Sequence, residues 1–189
     1  MEKQKKEFDY ETFDKIWQAL EEINLYIMCG VPGSGKTTWL ANHKKEFAQP
    51  MEIISRDAIR FSYLKDGDDY FKYEKEVWND FILAIQNALV TKRSIFVDAT
   101  HLNEKSRAKL LRTLGNSLAN EKIKISAIVM NTSLEETLKR NAGRTGRAFV
   151  PEDAIRSMYA SFTDPTFEEG FSTIFIVHEN GNITIKKEE

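Results

Sequence analysis

Apolar residues along this chain follow two rhythms. Short continuous apolar runs at 25–28, 51–55, 94–97, 123–130 and 173–177 are bounded by polar or glycine-containing turns, a pattern that predicts strands buried on both faces. Between them, apolar positions recur at helical spacing and predict helices over 37–47, 57–64, 70–90, 104–118 and from Pro151 to about Phe162. Asn103 suits an N-cap, and Ser133 with Glu136 makes a capping box that opens a further helix. Residues 141–150 read as a loop, and Glu179-Asn180-Gly181-Asn182 as a hairpin turn into 183–185. Near the start, Phe8, Phe13, Ile16, Trp17, Leu20 and Ile23 fall on one face of a helix.

Strands alternating with helices predict an α/β fold: three layers, α/β/α, around a central, mostly parallel five-stranded sheet. The expected division is an accessory helix over 1–24 and one domain over 25–189. Within that domain a helical, arginine-rich lid covers about 139–150, and a C-terminal strand and hairpin lie in 171–189.

Composition narrows the picture. The chain has 189 residues, 41% hydrophobic and 30% charged, enough for one domain with a real core and too apolar for disorder. A net charge of −2 excludes a globally basic nucleic-acid binder but leaves room for a local basic patch. Cys29 is the only cysteine and there are three histidines, so neither a disulfide framework nor a dedicated zinc site is expected, and His101 reads as a loop residue. That usage suits a reducing, cytoplasmic setting. No window approaches the ~20 apolar residues of a membrane span, and the charged start lacks the apolar run of a signal peptide.

The chemistry concentrates in four segments. Gly30-Val31-Pro32-Gly33-Ser34-Gly35-Lys36-Thr37 matches GxxxxGK[ST] between a predicted strand and a predicted helix, with Thr38 next in line. Glycines let backbone amides curl around phosphate oxygens, Lys36 reaches the β- and γ-phosphates of ATP, and the Thr37 hydroxyl meets Mg²⁺. Asp57 and Arg60 follow the second strand, three residues apart. Asp57 is either a base for an attacking hydroxyl or a helix cap, and Arg60 either holds an acceptor phosphate or lies on the surface. Asp98 ends the third strand, either supporting Mg²⁺ or closing an ordinary turn, and Thr100 and Asn103 follow it as candidate acceptor contacts. Arg140, Arg144 and Arg147 with Gly143 and Gly146 make either a lid that neutralises a moving phosphoryl group or a solvated charge run.

Taken together, GVPGSGKTTW (30–39), RDAIR (56–60), VDATHLN (97–103) and KRNAGRTGRAFVPEDAIRSMY (139–159) resemble, in order, the P-loop polynucleotide 5′-hydroxyl kinases of phage and bacterial end-repair enzymes. The resemblance implies a P-loop NTPase-type fold and transfer from ATP, with Mg²⁺, to a DNA or RNA 5′-hydroxyl. It implies Asp57 as general base and Arg60 on the acceptor strand's phosphate. It also implies Gly30, Val31, Pro32, Gly33, Ser34, Gly35, Lys36, Thr37 and Thr38 around ATP, Asp98 beside the acceptor, and Arg140 and Arg144 in the lid, with Arg144 nearer the transition state. Asp57 or Asp98 would join Thr37 at the metal through water. The lid between Arg144 and Pro151 is one residue longer than in the phage-type members, and 162–171 resembles the wider group of small P-loop kinases. A small-molecule acceptor (a sugar nucleotide, nucleoside or antibiotic) therefore stands as the alternative, and a non-catalytic ATP-binding switch behind it. Phe61 and Tyr63, close to the RDxxR box, either join the core or stack on a base. Oligomeric state is not legible.

Overall fold

A computed structural model describes residues 23–43, 51–91, 93–119 and 123–187. The expected N-terminal helix lies outside them, apart from Ile23 and Asn24. These two belong to the first strand, β1 (Ile23–Cys29), which starts earlier than its apolar run. The remaining strands are β2 (Glu52–Ser55), β3 (Ile95–Asp98), β4 (Ile123–Asn131), β5 (Thr173–His178) and β6 (Ile183–Lys187). The helices are α1 (Lys36–His43), α2 (Arg56–Tyr63), α3 (Glu74–Val90), α4 (Glu104–Leu114), α5 (Leu134–Ala142) and α6 (Glu152–Ala160).

The strands form one sheet in the order β2-β3-β1-β4-β5-β6, with every pairing parallel except β5–β6. The sheet thus has six strands rather than five, because the second arm of the C-terminal hairpin, β6, pairs antiparallel along β5 and extends the sheet. Alternation along the strands feeds two cores. Leu25, Ile27, Cys29, Ile95, Val97, Ala127 and Val129 point to one face, under Phe81, Ile85 and Leu89 of α3 and Leu110 and Leu114 of α4. Tyr26, Met28, Phe96, Ile128 and Met130 point to the other, under Trp39 and Leu40 of α1. Each large apolar side chain removed from water stabilises by about 1.5–3 kcal/mol, which is why β1, buried at every position, holds the centre.

Several helices differ from their expected bounds. Residues 70–73 form turns rather than the first turn of α3, because Tyr70 and Phe71 are drawn into contacts with α2. After α4, residues Gly115–Leu118 tighten into a 3₁₀ turn. Ser133 caps α5 by accepting from the Glu136 amide at 3.3 Å, but the Glu136 carboxylate turns to Arg140, so the capping box is half made. Asn103 caps α4 in a reciprocal box with Ser106. Pro151 sits at the N-cap of α6, one position before the first helical residue. No described helix is long and apolar enough to cross a membrane.

One buried ion pair ties the C-terminal segment to the loop after β3. Arg107 on α4 is fully buried and makes a two-pronged pair with Glu169, Nε to Oε2 and Nη2 to Oε1, both at 2.7 Å. Its remaining donors reach the carbonyls of His101 (3.3 Å), Thr163 (2.8 Å) and Asp164 (3.2 Å). Removing the arginine leaves a buried carboxylate uncompensated. Arg107→Met is therefore expected to cost roughly 3–5 kcal/mol in urea unfolding, and Arg107→Met/Glu169→Leu to recover a large part of it. Equal losses in the two variants would contradict this account.

Candidate active site

β1 runs directly into the turn 30–35 and then into α1, so the helix aims its first amides back over the turn. Gly33 has φ +90°, and a Cβ there would lie 2.8 Å from the Thr137 carbonyl of α5. Gly35 has φ +101°, and its Cβ would lie 3.1 Å from Nη1 of Arg140. Glycine is required at both positions by backbone conformation, and at Gly33 also by space. The Lys36 amine folds under the turn and donates to the carbonyls of Gly30 (2.8 Å) and Val31 (2.9 Å). Burial pushes Lys36 down to about 8, against the pull of Asp98 and Asp57 and with a further push from Arg144. Those charges thus converge on one amine. Ser34 is buried, and its Oγ has no partner among the described residues.

β3 lies next to β1 and brings Asp98 to the same end of the sheet. The Thr37 hydroxyl donates to Asp98 Oδ2 at 3.2 Å. Burial raises the Asp98 carboxyl, against the Lys36 charge and the hydroxyls of Thr37 and Ser55. A hydroxyl facing a carboxylate is a donor set of hard oxygens, which suits Mg²⁺. The glycine-lined turn, with its amine beneath, suits a polyphosphate. After Asp98 the chain stays against β1: the Gly30 amide donates to the Thr100 carbonyl at 2.9 Å. His101 is buried with φ 41° and bonds the Met28 carbonyl at 2.8 Å, so Nδ1 carries the proton. Burial pushes this imidazole down to about 4, leaving it neutral. His101 is thus a pin between β1 and the site loop, a role the reading as a plain loop residue missed. Asn103 uses its side-chain oxygen to cap α4, accepting from the Ser106 amide at 3.0 Å.

On the β2 side of the site the helix α2 begins right after β2. Asp57 is 62% exposed at its side chain and accepts at Oδ1 from Arg60 Nη1 (2.5 Å) and Tyr70 Oη (2.8 Å). Arg60 is 5% exposed. It also bonds Glu74 Oε2 at 2.7 Å and Tyr70 Oη at 3.0 Å, with its guanidinium 4.5 Å from the Tyr70 ring centroid. Arg56 pairs with the other oxygen of Glu74 and lies over the Trp78 ring. Burial, then the Asp57 charge, push the Tyr70 hydroxyl up to about 12, so it stays protonated and donates. Tyr70 and Glu74 lie outside the recognised motifs, and only their helical distance from one another hinted at a shared face. Arg60 is thus held by carboxylates, not offered free to solvent.

The lid divides. Arg140 donates from Nε to Glu136 Oε1 (2.8 Å) and from Nη1 to the Ser34 carbonyl (3.2 Å), which lays it on the phosphate turn. Arg144 is half-buried and close enough for its charge to act on Lys36. Arg147 turns away across the crevice to the Leu64 carbonyl (3.1 Å) and Asp66 Oδ1 (3.0 Å). The expected loop 141–150 holds a 3₁₀ turn at Gly146–Ala148. Asn141 braces it by bonding Val150 through both its amide groups, at 2.7 and 3.1 Å. Thr38 is exposed beside Thr37 at the start of α1.

A family model described as an AAA domain matches residues 25–165. A chain of the Pnkp1/Rnl/Hen1 RNA repair complex is 25% identical, with a TM-score of 0.59 over 74% of this chain and 44% of that one. The present chain therefore spans less than half the length of that protein. A chain of the PezAT chromosomal toxin–antitoxin system of Streptococcus pneumoniae aligns over 97% of this chain and 84% of its own, at 19% identity and a TM-score of 0.63. A gluconokinase from Sinorhizobium meliloti 1021 aligns over 82% of each chain, at 20% identity and a TM-score of 0.50. The last two are likenesses of fold. No curated protein matched.

The glycine geometry gives a direct test. Gly33→Ala meets both a forbidden φ and a backbone carbonyl, so it is expected to cost about 2–3 kcal/mol in urea unfolding. Gly67→Ala, at φ +84° with nothing within 4 Å, is expected to cost about 1 kcal/mol. Equal costs would mean that the close approach to Thr137 does not constrain the turn.

Proposed function

The chain belongs to the AAA domain family, and on that footing we propose that it is an ATP-dependent kinase acting on the 5′-hydroxyl end of a polynucleotide. The kinase-type P-loop fold supports phosphotransfer. One observation carries the transfer to a hydroxyl: an exposed carboxylate, Asp57, held at a fixed oxygen by Arg60 and Tyr70, at the same end of the sheet as Lys36. Such a carboxylate suits a base for a hydroxyl acceptor. The likeness to an RNA repair chain supports a nucleic-acid acceptor.

In this reading the turn 30–35 and the first turn of α1 hold the phosphates of ATP, and Thr37 with Asp98 holds Mg²⁺. The metal supplies charge neutralisation on the phosphates when bound. Asp57 takes the hydroxyl proton through Oδ2 as the acceptor oxygen bonds to the γ-phosphorus and the bond to the β–γ bridging oxygen breaks, with ADP leaving. Lys36, Arg140 and Arg144 offset the charge on the moving group. Arg60 first of all positions Asp57, and contact with an acceptor phosphate requires it to trade its pairing with Glu74. That commitment favours the second reading, a small hydroxyl acceptor with no phosphate of its own, which keeps the same base.

Two measurements test the chemistry. With labelled γ-phosphate, Asp57→Asn is expected to lower transfer to a 5′-hydroxyl oligonucleotide by roughly 10²–10⁴-fold while ATP still binds. Transfer that survives the change would remove Asp57 as the base. Lys36 meets phosphate as an ammonium, and that form is lost as pH rises through about 8. ATP affinity is therefore expected to fall roughly tenfold from about pH 7 to about pH 9 by calorimetry, and Lys36→Met to flatten the profile. A flat profile in the unaltered protein would contradict this role.

A further inference from the structure

α2 and the segment that joins it to α3 carry exposed aromatic rings. Phe71 is 62% exposed and Phe61 37% exposed. Phe61 lies four residues after Asp57 on α2, hence on the same helical face. Tyr70 joins the two: its ring stands edge-on to Phe71 (centroids 4.9 Å, 84°) and to Phe61 (6.3 Å, 72°), while its hydroxyl bonds Asp57. The exposed rings are thus linked through one residue to the oxygen that holds the candidate base.

The segment is also built to keep its shape. Gly67 turns the chain at φ +84°. Asp68 accepts from the Lys65 amide (3.0 Å) and from Lys72 Nζ (2.7 Å), and Asp69 accepts from the Phe71 amide (2.8 Å). These bonds fix the backbone that carries Phe71, so little order remains to be imposed when a flat partner arrives. They also pair Asp68 with Lys72, while Arg147 pairs with Asp66, which softens the acidic run against an incoming polyanion. The lid reaches this same segment through Arg147. A buried, carboxylate-bound Arg60 leaves the rings as the exposed recognition surface beside Asp57.

We propose that Phe71 and Phe61, braced by Tyr70, form a stacking platform for the nucleobase next to the accepting hydroxyl. This rests on the polynucleotide reading above and deepens it: the acceptor is selected by a flat heterocycle, through stacking rather than base-edge hydrogen bonds. Stacking on an aromatic face is tolerant of base identity, so the platform accepts all bases and disfavours acceptors that lack one.

The test compares two 5′-hydroxyl oligonucleotides that differ only in whether the first nucleotide carries a base. Phe71→Ala is expected to raise the acceptor KM roughly tenfold for the base-bearing strand, to leave the abasic strand's KM unchanged, and to leave the ATP KM unchanged. Phe71→Trp is expected to keep or lower the KM. Val90→Ala, another exposed apolar side chain at the far end of α3, is expected to change nothing. Independently of turnover, the fluorescence of 2-aminopurine as first base is expected to be quenched on binding, and less so with Phe71→Ala. Equal effects on both strands, or none on either, would overturn the platform while leaving the kinase reading intact. Wild-type protein that binds ATP and transfers to neither strand would overturn both.

Discussion

The buried ammonium of Lys36 sets the terms for everything around it. A charge with so little access to water needs oxygen partners, and Gly30 and Val31 supply them from their own turn. That turn exists because Gly33 and Gly35 adopt conformations closed to other residues, and because β1 delivers the chain from the centre of the sheet. The neighbouring strand β3 answers with Asp98, and Thr37 links the two through one hydrogen bond. His101 and the Thr100 carbonyl hold the loop after β3 to β1, and Arg107 with Glu169 secures that loop from behind. The result is a turn whose backbone is held in place by its own hydrogen bonds, the geometry on which the proposed phosphate site rests.

The side of the site around α2 is organised by a different rule. Here charges are neutralised pairwise: Glu74 holds Arg56 and Arg60, and Arg60 in turn holds Asp57. Asp57 keeps its exposure because its two donors share one oxygen. The turn and this chain of ion pairs meet only at the carboxyl end of the sheet, where open α/β sheets gather their ligands. The lid spans both sides, with Arg140 on the phosphate turn and Arg147 on the segment before α3.

The phosphate turn was legible because its chemistry is local: glycines, a lysine and a threonine within one turn, flanked by a strand and a helix. The parallel sheet is legible from alternating elements, and so is the hairpin turn after β5; the count of five leaves out the hairpin's second arm, which pairs antiparallel along β5 as the sixth strand. What stayed hidden depends on pairings far apart in sequence. Arg107 meets Glu169, Tyr70 meets Asp57 and Arg147 meets Asp66, and no local period marks any of them. Asn103 shows the reverse. Its place in the VDATHLN segment suggested an acceptor contact, while its capping chemistry, also legible, is what the fold uses. Phe61 was open between core and stacking, and its exposure leaves it outside the core.

The central claim is the class of acceptor, and initial rates at equal acceptor concentration test it most directly. A 5′-hydroxyl oligonucleotide, the matching nucleoside and a sugar acid would each be offered with labelled ATP and Mg²⁺. The account predicts fastest transfer to the oligonucleotide, slower transfer to the nucleoside and least to the sugar acid. A sugar acid phosphorylated faster than the oligonucleotide would contradict it.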